Sequence, residues 1–285
     1  MNRICFAGLV LVLAGCRSAK PPPPVPMPVA VAERNATQAA KLSAEGNWSG
    51  AVGAWERALS EYRLLNDRTN EAIALHNLGE AREQLGSLDS AHQLLEEAAS
   101  INAARKADEQ WWRNQIALLQ IEAKAHQTNV LSERFARLES RSGNLKGTLR
   151  GLFLNERGLW QTGRREFEKA DADYVEAFRL FAAVDDGPGM AAVISNEALL
   201  LERQEKFQAA ADKWRDALAR FEKMSNPLGI AISMLGRGRA LVQAKQNAEE
   251  ARDLLQRANR NFKTLHQESE ASEAAELLKN LGQKS

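Results

Sequence analysis

Four histidines, two cysteines and several acidic pairs are the side chains here whose chemistry could go beyond packing. His76, His92, His126 and His266 are scattered along the chain, with no HExxH pair, no His-x-Glu accompanied by CxxC and no GxSxG turn. Without such spacing an imidazole has no second ligand or nucleophile on its own helical face. No catalytic residue, metal ligand or cofactor is therefore assigned. Gly187-Pro188-Gly189 and Gly236-Arg237-Gly238 lack the GxxxxGK[ST] spacing and a preceding strand, so they read as turn and close-packing glycines. Glu96-Glu97 and Glu249-Glu250 read as parts of solvated faces. The charge is balanced, 38 Lys+Arg against 37 Asp+Glu, and without a polybasic run nothing favours nucleic acid as a partner.

Both cysteines, Cys5 and Cys16, lie in the first sixteen residues, so the rest of the chain has no disulfide and no thiol chemistry. Arg3 followed by the apolar run Ile4 to Leu13 has the make-up of an export leader and is too short to span a bilayer, which takes about 18 apolar residues. Leu13-Ala14-Gly15-Cys16 resembles the lipobox of bacterial lipoproteins. That resemblance implies cleavage after residue 15, acylation of Cys16, and a lipid-anchored place in the cell envelope. Arg17, where an inner-membrane retention signal would put Asp, leans towards the outer membrane facing the periplasm. Six of the eight prolines (Pro21 to Pro24, Pro26 and Pro28) follow, and they predict an extended stalk of roughly 25 Å within a linker over 16–32. A proline-rich ligand for an aromatic groove is the rival reading.

The elements that would position any site repeat. Ala51-Trp55-Ala58, Ala91-Leu95-Ala98, Leu131-Phe135-Leu138, Ala170-Tyr174-Ala177, Ala210-Trp214-Ala217 and Ala251-Leu255-Ala258 share an i, i+4, i+7 spacing and recur every 39 to 41 residues. Small residues at the outer positions let a neighbouring helix approach, and the large middle residue fills its groove. Upstream of each trio a second helical pattern recurs, as in Leu75-His76-Asn77-Leu78-Gly79, and glycines at Gly46 and Gly86 mark the turns between. Unit three departs from the pattern, with Leu131 and Leu138 for alanine and no glycine in its first helix. It is either a packing irregularity or a bend in the array. Glu268 to Leu281 reads as an amphipathic capping helix. Trp111-Trp112 cannot both enter one narrow stripe, so either one ring faces a groove or neighbouring helices bury both.

Gly46-Asn47-Trp48-Ser49-Gly50-Ala51-Val52-Gly53-Ala54-Trp55-Glu56-Arg57-Ala58-Leu59 resembles the tetratricopeptide repeat, in a variant with a period near 40. The resemblance implies an all-α, right-handed superhelical solenoid of about six hairpins over 33–265, closed by a capping helix and tail over 266–285. It also implies a concave groove, lined by the first helix of each hairpin, that takes protein or peptide partners of the cell envelope. Carried over by position, the groove candidates are His76, Asn77, Glu80, Asn155, Asn196, Arg203 and Arg239. Asn77, Asn155 and Asn196 either form a ladder for an extended peptide backbone or bond to their own helices. The expected function is a non-enzymatic scaffold or adaptor. A receptor for peptides or small ligands and an enzyme with a hydrolytic site in the groove are the two other classes considered.

Overall fold

The computed structural model describes residues 26–282, so Cys16, the leader and Pro21 to Pro24 lie outside the described residues. Thirteen helices follow one another with no strand among the described residues: α1 Met27–Ala44, α2 Trp48–Leu64, α3 Arg68–Gln84, α4 Leu88–Ala104, α5 Asp108–Lys124, α6 Thr128–Ser142, α7 Gly147–Gly163, α8 Phe167–Ala182, α9 Gly187–Arg203, α10 Phe207–Lys223, α11 Pro227–Ala244, α12 Ala248–Thr264 and α13 Glu268–Gly282. None is long and apolar enough to cross a membrane.

The trios fall on the even-numbered helices, and every trio residue is 8% exposed or less. Opposite the middle residue the first helix presents a small one in hairpins two, four and six. A Cβ on Gly79 would stand 3.0 Å from Leu95, one on Gly158 would stand 2.6 Å from Tyr174, and one on Gly238 would stand 2.7 Å from Leu255. Close approach thus needs the missing methyl as much as the large partner. In unit three the matching position is Leu119, buried against Phe135 in a separate cluster with Leu131 and Leu138. Four large residues meet where the other hairpins interleave large with small. As a result α6 stands off from α5 farther than in any other hairpin.

Eleven of the twelve links share a back-bonded turn, in which an N–H bonds to a carbonyl five residues earlier, as Asn47 N to Leu42 O and Lys206 N to Leu201 O, both 2.9 Å. In ten of them a left-handed residue follows the C-cap, and between α11 and α12 the left-handed residue is the C-cap itself, Lys245. Glycine takes the left-handed position at Gly46 and Gly86. Asn66, Lys106, His126, Arg165, Asp185, Glu205, Ser225 and His266 take it elsewhere, with φ between 52° and 62°. Asn47, Asp67, Asp186 and Asn226 then cap the next helix through their side chains. The link between α6 and α7 alone lacks the back-bonded turn.

The structure differs from the sequence expectation at the start of the array. α1 begins at Met27, inside the stretch expected to be a linker, with Pro28 in its first turn. Proline is compatible there because the first-turn N–H groups have no intrahelical partner to lose. At the other end α13 lays Ala271, Ala274, Leu277 and Leu278 on the last core cluster.

Candidate protein-binding surfaces

From α3 onward the first helices approach one another across hairpins, α3 to α5, α5 to α7, α7 to α9, α9 to α11 and α11 to α13, while no pair of second helices comes as close. The stack therefore curves with its first helices on the inner side. Polar side chains join them rung by rung. Asn114 Nδ2 on α5 reaches His76 Nδ1 on α3 at 2.9 Å, and Asn114 Oδ1 accepts from the buried Asn102 at 2.8 Å. Lys124 on α5 pairs with Glu83 on α3 at 2.6 Å. Gln120 on α5 donates to Glu156 on α7 at 2.9 Å, and Asn196 on α9 donates to Asn155 on α7 at 2.9 Å. Arg239 on α11 bridges Glu202 on α9 at 2.8 Å and Glu273 on α13 at 2.7 Å. Burial opposes the Arg239 charge, but the two carboxylates outweigh it and hold the guanidinium above its ordinary pKa. The Glu156 carboxyl is also raised, in its case by burial, against bonds from Gln120 and Asn155.

The seven groove candidates therefore all sit on first helices but do not share one role. Asn155, Asn196 and Arg239 are tied into rungs between helices. Asn77 donates to Ile73 O of its own helix at 2.8 Å. His76 is held by Asn114, with its Nε2 3.2 Å from the exposed Glu80. Arg203 is exposed. His76 and Asn77 line a small cavity of 100 Å³ between α3 and α5 together with Ile73, Gln110 and Arg113.

A second polar cluster lies on the other side of the hairpins. Arg134 on α6, with its side chain 4% exposed, donates to Glu122 at 2.8 Å, to Gln115 at 2.7 Å and to Glu96. His92 Nε2 stands 3.2 Å from Glu122. Ligand atoms of His92, Glu96 and Glu122 lie within 4.8 Å of one another, a spacing compatible with one cation. The guanidinium already sits between the two carboxylates and supplies the compensating charge, so this is a buried ion-pair network. Glu96, its side chain 44% exposed, forms the solvent-facing edge of this network.

Because α6 stands off, cavities flank it. One of 620 Å³ opens between α6, α7 and α8, and one of 270 Å³ lies between α5, α6 and α7. Phe135 of α6 stacks on Trp160 of α7 between them, with ring centroids 4.8 Å apart. Long side chains hold α6 across the gap: Arg157 of α7 bonds Glu139 of α6 at 2.6 Å and grips Asp173 of α8 in a two-pronged bond at 2.6 and 2.7 Å. Of the tryptophan pair, Trp112 is buried against Phe153, and Trp111 is half-buried under Arg141, whose guanidinium carbon is 4.1 Å from the ring centre.

No family model matches the chain, and a search of curated proteins finds no match. Among solved structures, a Rap protein complexed with competence and sporulation factor superposes with a TM-score of 0.64 at 11% identity, covering 89% of this chain and 75% of that one. The apo form of the quorum sensor NprR from B. thuringiensis gives 0.61 at 12% identity, covering 89% and 77%. A tetratricopeptide repeat protein from Parabacteroides merdae matches at 15% identity over 88% of this chain and 99% of that one, with a TM-score of 0.48. The fold is that of a tetratricopeptide-repeat solenoid. In this solenoid the repeat trios were readable from sequence, while the rungs and the Arg134 cluster were not. Their partners lie 12 to 41 residues apart on different helices. The one sequence signal for the Arg134 cluster is the run of large residues in unit three, which leaves room for a long charged side chain to reach inward.

Proposed function

We propose that this chain is a non-enzymatic scaffold or adaptor, lipid-anchored through Cys16 in the bacterial envelope, that binds protein or peptide partners along its inner face and supports assembly of an envelope complex. The observation that carries the reading is the continuous inner face of first helices, whose rungs lock the backbone into a preformed curve while Ile73, Glu80 and Arg203 remain exposed on first helices. A preformed surface spends little of its interaction energy on ordering.

A photo-crosslinking amino acid at Asn77, Ile73 or Arg203 in intact cells is expected to capture a discrete protein, and the same probe at Val175 on α8 is not. Equal capture at all four positions sinks the groove reading. Labelling with a fatty-acid analogue, lost in Cys16→Ser, tests the anchor separately.

A specific observation favours a second reading, that of a receptor for a peptide or small ligand. Two solved structures with TM-scores above 0.6 are named for a bound competence and sporulation factor and for quorum sensing. Compaction of the solenoid in small-angle scattering on adding short peptides distinguishes a receptor of this kind from a rigid adaptor.

A further inference from the structure

Six buried side-chain atoms have no hydrogen-bond partner among the described residues, and three of them, Glu122 Oε2, Trp160 Nε1 and Gln161 Oε1, belong to residues that line the cavities beside α6. An unpaired buried polar atom carries its full desolvation penalty, and folds retain few of them. Gln161 is 7% exposed, and Trp160 is covered by the Phe135 ring. Two of these atoms are complementary and adjacent in sequence. The indole N–H can only donate, and the amide oxygen can only accept.

We propose that the cleft between α6, α7 and α8 is a second binding site, distinct from the inner face, for a peptide segment of a partner protein. The segment inserts one apolar side chain against the Phe135–Trp160 stack, accepts from Trp160 Nε1 through a main-chain carbonyl and donates to Gln161 Oε1 through a main-chain N–H. A peptide unit offers that donor and acceptor together with an apolar side chain. The cationic groups of the wall are already matched: Arg157 by Glu139 and Asp173, and Arg164 and Lys169 by Glu166. A phosphate or polyanion therefore finds no free charge there.

The unpaired atoms are closed from solvent, so entry requires α6 to move outward. α6 is the helix suited to that motion. It lacks the small-residue contacts of the other second helices, it is joined to α7 by the one link without a back-bonded turn, and on the cleft side it is latched by Glu139 to Arg157, while Arg134 pins its opposite face to Glu122, Gln115 and Glu96. Opening exchanges the Glu139–Arg157 bond for the ligand and keeps the Phe135–Trp160 stack as the apolar floor of the cleft.

The test uses the chain from residue 26 onward, which contains every described helix, with N-acetyl-leucinamide as the probe. This probe carries an isobutyl group and both amide hydrogen-bonding functions. The chain has six indole N–H groups, and the Trp160 signal is assigned in nuclear magnetic resonance spectra by its loss in Trp160→Phe. The expected result is a saturable downfield shift of that signal. Gln161→Leu is expected to weaken binding at least tenfold while raising the thermal midpoint, because it removes an unpaired acceptor. Glu139→Ala, which releases the latch, is expected to tighten binding. An unmoved Trp160 signal, or a Gln161→Leu chain that melts lower and binds equally well, overturns the proposal. Neither outcome bears on capture of partners at the inner face.

Discussion

Replacing Gly236 with alanine adds one methyl group where the solenoid has no room for it. A Cβ there would lie 2.3 Å from Cε2, 2.6 Å from Cδ2 and 2.7 Å from Cζ2 of Trp214 on the preceding helix. The ring cannot slide away freely. It is 2% exposed, and its N–H donates to Glu202 at 2.6 Å, a carboxylate that Arg239 holds in turn at 2.8 Å. Restoring van der Waals contact takes a displacement of about 1 Å, met by breaking that bond or parting α10 from α11. Overpacking of this kind costs about 2–3 kcal/mol. Alanine returns about 1 kcal/mol of helix propensity, so the net loss is about 1–2 kcal/mol. Gly53→Ala on α2 is the control, because its nearest neighbour is the flexible tip of Arg57 at 3.6 Å. Only the propensity gain remains there. With about 2–4 °C of melting shift per kcal/mol for a chain of this class, Gly236→Ala falls by roughly 2–8 °C and Gly53→Ala rises by a few degrees. Circular dichroism melts read both. Hydrogen exchange should place the loss in α10 and α11, since each hairpin contacts only its neighbours. Equal stability of the two variants refutes the close-packing account of Gly236, as does a Gly236→Ala cost that Trp214→Leu fails to relieve.

Three further outcomes follow from the same structure. Arg134→Ala leaves Glu122 buried without its partner and is expected to cost about 3–5 kcal/mol in urea unfolding, whereas Arg134→Met combined with Glu122→Met recovers most of it; equal loss in the double variant contradicts the ion-pair reading. Glu205→Gly relieves a left-handed residue at φ 60° on an exposed link and is expected to stabilise the chain by about 0.5–1 kcal/mol, checked by the melting midpoint. The folded-state pKa of Glu156 is raised, so its contribution is present below the ordinary carboxylate value of about 4.3 and is lost as pH rises through the raised one. Glu156→Gln should therefore match the parent near pH 4 and exceed it in stability near pH 7, and a parallel pair of stability-against-pH curves counts against burial as the cause.

The hairpins were legible because their signal is local: an alanine, a large residue and an alanine on one helical face report a helix that another backbone must touch. The same logic located the disturbance in unit three, since Leu131 and Leu138 break the pattern visibly. It did not show how the disturbance resolves. That depends on Leu119, whose size matters only once it is known to face Phe135. Register put the groove candidates on first helices, but the partners of Asn155 and Asn196 lie a whole repeat away, where periodicity carries no information about which way an asparagine turns. Asn155 and Asn196 accordingly bond each other, and Asn77 bonds its own helix. The start of α1 was misplaced for a different reason. A run of prolines reads as extended chain, while the first turn of a helix tolerates one as readily.

The irregular joint after α6 has a mechanical consequence. Eleven links share one back-bonded hook and the twelfth does not, so across that joint the two halves are held by side chains, chiefly α5 on α7 and Gln120 on Glu156, and not by the chain's own turn. Continuity there is carried between first helices and passes α6 by.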